Sequence, residues 1–135
     1  MKVYVLCDMN KFPPEVVEKL CSYVYLYVDP RNGNPFYIGK GVGNRAFSHL
    51  DDESDEPKVE TIKEIRKAGL EPKIEILRYG LSDDQASLVE ASVIDLVGIP
   101  PLTNLVRGQH SRSFGRVNVG ELLSVLTAER AQVTH

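Results

Sequence analysis

Tyr23 to Val28, YVYLYV, alternates strictly: Tyr23, Tyr25 and Tyr27 fall on one side of an extended chain, and Val24, Leu26 and Val28 on the other. Successive side chains of a strand point to opposite faces, and aromatic and β-branched residues suit a pleated, packed surface. The hexapeptide is predicted as a strand with two different faces. A turn cluster follows, DPRNGNP, with Asn32-Gly33 at the reversal, and PFYIG returns as the second strand of a hairpin.

The other elements are arranged around that hairpin. PPEVVEKLCS (Pro13 to Ser22) reads as a short helix with Pro at its first turn and Val16, Val17 and Leu20 at helical spacing. GNRAFSHL is expected as a short helix begun after the glycines. Past the acidic loop DDESDE, Pro57 starts a helix with Val59, Ile62 and Ile65 inward and Gly69 as its stop. KIEILRY (Lys73 to Tyr79) is a third strand. Ser82-Asp83-Asp84-Gln85 is a capping box opening a helix to about Val97, ended by Gly98 and Pro100-Pro101. PLTNLV is an extended piece, and Gly120 to about Arg130 a terminal helix capped by Asn118. Met1 to Asp8 fits strand or coil. The sum is an α+β domain: a small antiparallel sheet of about three strands flanked by helices. With 135 residues, a single domain 1–135 is expected, with a core over 23–104, an N-terminal extension over 1–22 and a basic segment and helix over 105–135.

Charge enters through its distribution. The formal net charge of −3 argues mildly against nucleic acid as a partner, yet Pro30 to Leu50 carries Arg31, Lys40 and Arg45 with no acid, and Thr103 to Gly120 carries Arg107, Arg112 and Arg116 with none. Solvated surface is the ordinary fate of such stretches. Cys7 and Cys21 form no metal-ligand spacing, and the opening MKVYVLCDMNK has too short an apolar run for a signal or a membrane span. A soluble protein of the reducing cytoplasm, with no membrane partner, is the expectation.

Three constellations could carry chemistry. Glu90 lies on the apolar arc of its helix between Ala86, Val93, Ile94 and Val97. A carboxylate there must meet a cation, a metal or a pocket opening. An inward ion pair with an arginine, a metal ligand and a catalytic carboxylate all satisfy that demand. Arg45 and His49, four apart on the expected helix, share a face. With Lys40 they are either ordinary surface and half-buried groups or an edge of nitrogen donors suited to a phosphodiester under attack. Tyr25 and Tyr37 sit on adjacent strands; whether they share a face depends on a register that so long a loop does not fix. Strand tyrosines usually pack, and one serves as a general base only if cations such as Lys40 and Arg45 lower its pKa. Gly39-Lys40-Gly41-Val42-Gly43 lacks the Lys-Ser/Thr of a P-loop and the acid of a dinucleotide fingerprint. It reads as a sharp turn from strand into helix.

In order, Tyr23-Val24-Tyr25, Tyr37-Ile38-Gly39, Asn44-Arg45, His49, Glu90 and Asn104 resemble the GIY-YIG nucleases, over roughly Tyr23 to Asn104. PFYIGKG looks most like the branch with the LEM-domain/ankyrin-repeat nucleases and small prokaryotic relatives. The resemblance implies a divalent-metal-dependent endonuclease. Tyr25 and Tyr37 match the two motif tyrosines, one acting on the attacking water, with Tyr25 favoured. Lys40 would help depress a tyrosine pKa, and Arg45 would stabilise the pentacovalent phosphate. His49 would lie near the attacking or leaving oxygen. Glu90 would be the single protein ligand of one Mg²⁺ or Mn²⁺, and Asn104 would support the site.

The glycine of GIY is Tyr23 here and its isoleucine is Val24. Tyr23 would narrow the cleft or face away. No separate DNA-binding domain is visible, so specificity is expected to be low, to be for nucleic-acid structure, or to come from a protein partner. DNA is favoured over RNA as substrate, with Arg31, Lys40, Arg107, Arg112 and Arg116 as candidate phosphate contacts. The alternatives are a non-catalytic nucleic-acid-binding module on the same scaffold and an interaction domain with no nucleic-acid function.

Overall fold

Three antiparallel strands make the sheet, in the order β2-β1-β3. The computed structural model describes residues 11–99, 101–104 and 116–133. Helix α1 (Pro14–Leu20) leads into the central strand β1 (Ser22–Asp29), which pairs on one side with β2 (Asn34–Gly41) and on the other with β3 (Lys73–Leu81). Helix α2 (Pro57–Lys67) joins β2 to β3, α3 (Asp83–Val97) follows β3, and α4 is Val119–Val133. The expectation for Met1 to Asp8 lies outside the described residues.

The alternation of β1 separates two cores. Tyr23, Tyr25 and Tyr27 pack with Leu20, Phe36, Ala46, Ile62 and Ile65, while Val24 and Ile38 pack with Ala86, Ile94 and Leu102. Burial of each such side chain contributes about 1.5–3 kcal/mol, so both faces must be covered: α2 and the segment after β2 cover one, α3 the other. The reversal is where the composition put it. Gly33 has φ +76° and its N–H, 2.7 Å from the Asp29 carbonyl, closes the turn. A bulge opposite Tyr27/Val28 skips Phe36 in the pairing, which turns Phe36 and Tyr37 to the same face.

The capping box on α3 is complete: the Ser82 hydroxyl accepts from the Gln85 N–H at 3.1 Å and Gln85 Oε1 from the Ser82 N–H at 2.9 Å. Asn118 caps α4 through the Glu121 N–H at 2.9 Å. No helix among the described residues is long and apolar enough to cross a membrane.

Two expectations are corrected. Gly39 and Gly41 belong to β2, so only Gly43, with φ +58°, makes the turn out of the strand. The short helix expected in GNRAFSHL is confined to one 3₁₀ turn (Arg45–Phe47), with bonds to the third residue back, Phe47 to Asn44 and Ser48 to Arg45, and does not continue as an α-helix to His49. Its Ala46 peptide group is committed elsewhere: the N–H donates to the Tyr23 hydroxyl at 2.9 Å, and the carbonyl accepts from the Tyr27 hydroxyl at 2.7 Å. In an α-helix that carbonyl would accept from the Leu50 N–H, which here bonds the Phe47 carbonyl at 3.2 Å.

Candidate active site

The strand register resolves the question of faces. Tyr27 pairs with Tyr37 and Tyr25 with Gly39, so all three tyrosines point from one face. The rings of Tyr25 and Tyr37 are tilted at 49° with their centroids 6.2 Å apart. The Tyr25 phenol crosses its partner glycine: a Cβ on Gly39 would lie 2.5 Å from its hydroxyl oxygen. Gly41 likewise clears the stem of Arg45. These glycines are therefore required for close approach and not for backbone freedom.

Tyr23 holds the segment that carries Arg45. Fully buried, its hydroxyl donates to the Gly43 carbonyl at 2.8 Å while accepting from Ala46. With Tyr27 it staples residues 43–46 onto the sheet. It neither faces away nor narrows an opening.

Arg45 stands exposed at this face, and among the described residues it makes no ion pair with a carboxylate. His49 lies edge-on to the Tyr37 ring at 5.4 Å; its Nδ1 is 3.7 Å from Asp52, and its buried Nε2 has no hydrogen-bond partner among the described residues. Burial, with Lys58 and Arg45 nearby, pushes the His49 pKa below its ordinary value and keeps the ring neutral. Lys58 is a residue that sequence reasoning missed. It is buried, paired with Glu56, and its ammonium is 5.0 Å from the Tyr37 ring centroid.

Glu90 meets the site along the outer edge of β2, where alternate residues turn their peptide groups outward. The Phe36 carbonyl accepts from Thr103 N–H and Oγ1, both at 2.7 Å. Asn104 Oδ1 accepts from the Ile38 N–H at 3.1 Å, and its Nδ2 donates to the Ile38 carbonyl at 2.7 Å. The next outward N–H, that of Lys40, acts on the Glu90 carboxyl and lowers its pKa. Side chains thus replace a neighbouring strand at this edge. Asn104 fixes the backbone between Tyr37 and Gly39. Burial raises the half-buried Glu90 pKa, opposed by the Lys40 charge and that N–H, and the Glu90 charge is felt at Tyr37.

Lys40 does not do what the resemblance implied. It pairs with Val24, so its side chain leaves from the α3 face, and its ammonium binds Ser87 Oγ at 2.7 Å and Asp83 at 3.1 Å. None of the tyrosine shifts includes it; Arg45 acts on Tyr23, Tyr25, Tyr27 and Tyr37, and Lys58 on Tyr37. Nor are the tyrosine pKa values depressed. Burial raises all of them, most for Tyr25, and in Tyr37 the charges of Lys58 and Arg45 oppose it. Arg31 is also engaged: it forks onto the Asp29 carboxylate, with a contact of 2.8 Å, and lies 3.6 Å from Glu64. Arg116 reaches the Leu96 carbonyl at 3.4 Å. Arg107 and Arg112 lie outside the described residues.

A single half-buried carboxylate is the only candidate metal ligand here, and among the described residues no group of three or more His, Cys, Asp or Glu converges. Such a donor set fits a hard cation that keeps most of its waters, and does not fit a closed structural site.

The three-stranded sheet brings together two tilted tyrosine rings, a loop arginine and histidine, and a helix glutamate at one strand edge. The model of the LEM-3-like GIY-YIG domain family matches residues 22–121, and the chain belongs to that family. It is similar to the Ankyrin repeat and LEM domain-containing protein 1 homolog of Caenorhabditis elegans, with 32% identity over 113 residues, covering 65% of this chain and 16% of the relative. The chain therefore spans less than a fifth of that relative's length. No solved structure matches.

Proposed function

We propose that this domain is a divalent-metal-dependent endonuclease that hydrolyses phosphodiesters, DNA in preference to RNA. The observation that carries the reading is the setting of Tyr37: its ring centroid lies 5.0 Å from the Lys58 ammonium, 5.4 Å from the His49 ring and 6.2 Å from the Tyr25 ring, and the charges of Arg45 and Glu90 act on its phenol. Cations, a phenol and a lone carboxylate around one point suit attack of water on a phosphodiester.

The steps follow from the chain's own groups. Arg45, without a carboxylate partner among the described residues, stabilises the charge that grows on the non-bridging oxygens. Tyr37, whose pKa burial holds up against Lys58 and Arg45, orients the attacking water through its hydroxyl, and the proton of that water passes to His49. Neutral His49, with Nε2 unpartnered among the described residues, is available to accept or pass a proton near the attacking or leaving oxygen. Glu90 would hold the Mg²⁺ or Mn²⁺, which supplies Lewis-acid stabilisation of the phosphate. Specificity beyond the phosphodiester would come from nucleic-acid structure or a protein partner.

The test is cleavage of end-labelled single-stranded, duplex and branched DNA and of RNA with Mg²⁺ or Mn²⁺. Wild type is expected to cut, and Arg45→Ala to lose about a hundredfold or more in rate at an unchanged melting temperature. Absence of cutting with equal nucleic-acid binding by both proteins would make the domain a non-catalytic binding module.

A further inference from the structure

Lys58 sits on the first turn of α2, where a lysine ordinarily extends into water, yet it is 7% exposed. Its ammonium faces the Tyr37 ring, and its one carboxylate partner among the described residues is Glu56, the residue before the helix. Glu56 is much more open, with 38% of its side chain exposed. After burial itself, the Lys58 charge is the next influence on both Tyr37 and His49, and Arg45 acts on the same two groups. Two cations from different elements therefore converge beside one phenol and one neutral imidazole, and the only carboxylate that neutralises either of them lies on the solvent side.

An ion pair of one buried and one open member adds little to stability compared with well-packed apolar groups. It does keep a charged ammonium inside a pocket, ready for exchange to another anion. We propose that Lys58 is a phosphate-contacting residue of this site, masked by Glu56 in the free protein and transferred to a backbone phosphate when nucleic acid binds. The inference rests on the reading that the site accepts phosphodiesters. Glu56 is the member that leaves, since it already borders solvent, while the Lys58 stem is fixed among buried groups and points at Tyr37. The exchange trades one charge-assisted bond for another, so the ammonium is never left unpaired.

The two partners then have opposite effects, which a purely structural pair would not show. Binding of a short fluorescein-labelled DNA, single-stranded or duplex, is measured by anisotropy without metal and over a range of salt. Lys58→Met is expected to weaken binding about 3- to 10-fold and to lower the salt slope by about one, and Lys58→Arg to restore most of it. Glu56→Gln is expected to tighten binding by a similar factor, and that gain must vanish in a Lys58→Met background. If Glu56→Gln gives no gain, or the same gain without Lys58, the exchange is refuted. Because Glu56 is partly open to solvent, its variant decides the matter even if Lys58→Met folds poorly. Failure of the wild type to bind at low salt would instead refute the phosphodiester reading itself, and the inference with it.

Discussion

The ring of Tyr25 lies across the Cα of Gly39, its partner in the β1–β2 pairing, where any Cβ would come inside van der Waals contact with Cζ, Oη and Cε1 of the phenol. The glycine and the tyrosine are thus one feature: the small residue is what allows the phenol to reach Tyr37. Gly39→Ala is expected to destabilise the fold by about 1–3 kcal/mol, as overpacking of a filled core does. It should also lower cleavage further than that loss explains, because Tyr25 must turn away from Tyr37. Thermal unfolding and single-turnover rates on the same sample separate the two effects.

Tyr23→Phe tests the staple under Arg45. The substitution keeps the ring but leaves the Ala46 N–H and the Gly43 carbonyl without the hydroxyl that serves both. Loss of about 1–3 kcal/mol is expected from the stranded N–H, together with slower cleavage as the segment 43–46 loosens and Arg45 loses its fixed place. Hydrogen exchange at Ala46 reports the loosening directly. Unchanged protection there would remove Tyr23 from the account of the site.

His49 should make the protein acid-sensitive. Its folded pKa lies below the ordinary 6.5, first through burial and then through Lys58 and Arg45. The unfolded chain therefore binds the proton more readily than the folded one. The stability from neutral His49 is complete above the unfolded value and is lost as pH falls from there toward the folded value. Asp29 and Asp52, depressed from 3.8, lose their contributions only at lower pH, and Glu90, raised from 4.5, works in the opposite direction. The Asp29 and Glu90 terms are common to wild type and His49→Gln, and the Asp52 term, to which His49 itself contributes, acts below the pH range followed. The difference between the two melting curves, followed from about pH 8 to pH 5, should shrink as pH falls. A constant difference would contradict the assignment.

Much of this was legible in the sequence, and the omissions have specific causes. The tyrosine alternation, the Asn32-Gly33 reversal, the capping box at Ser82 and the inward Glu90 each follow from local periodicity or turn chemistry, and the structure has them. The short helix expected over 43–50 is confined to one 3₁₀ turn because buried phenols from β1 claim the Ala46 peptide group, a tertiary contact with no local signature. Lys40 was assigned to the wrong face, since the register that pairs it with Val24 depends on the whole hairpin and its bulge. Arg31 was counted in an acid-free stretch that began one residue after its partner Asp29. Lys58 escaped notice because the helical pattern marks Val59, Ile62 and Ile65 as inward and gives no reason to bury the cation beside them.

The most direct test of the site as a whole is the Mg²⁺- or Mn²⁺-supported cleavage rate of Glu90→Gln against wild type, on whichever nucleic acid the wild type cuts, with binding measured on the same preparations. Gln keeps the shape but removes the charge that a divalent ion needs. A fall of about a thousandfold or more in rate with binding retained is the predicted result. Cleavage within about threefold of wild type would contradict a Glu90-centred reaction.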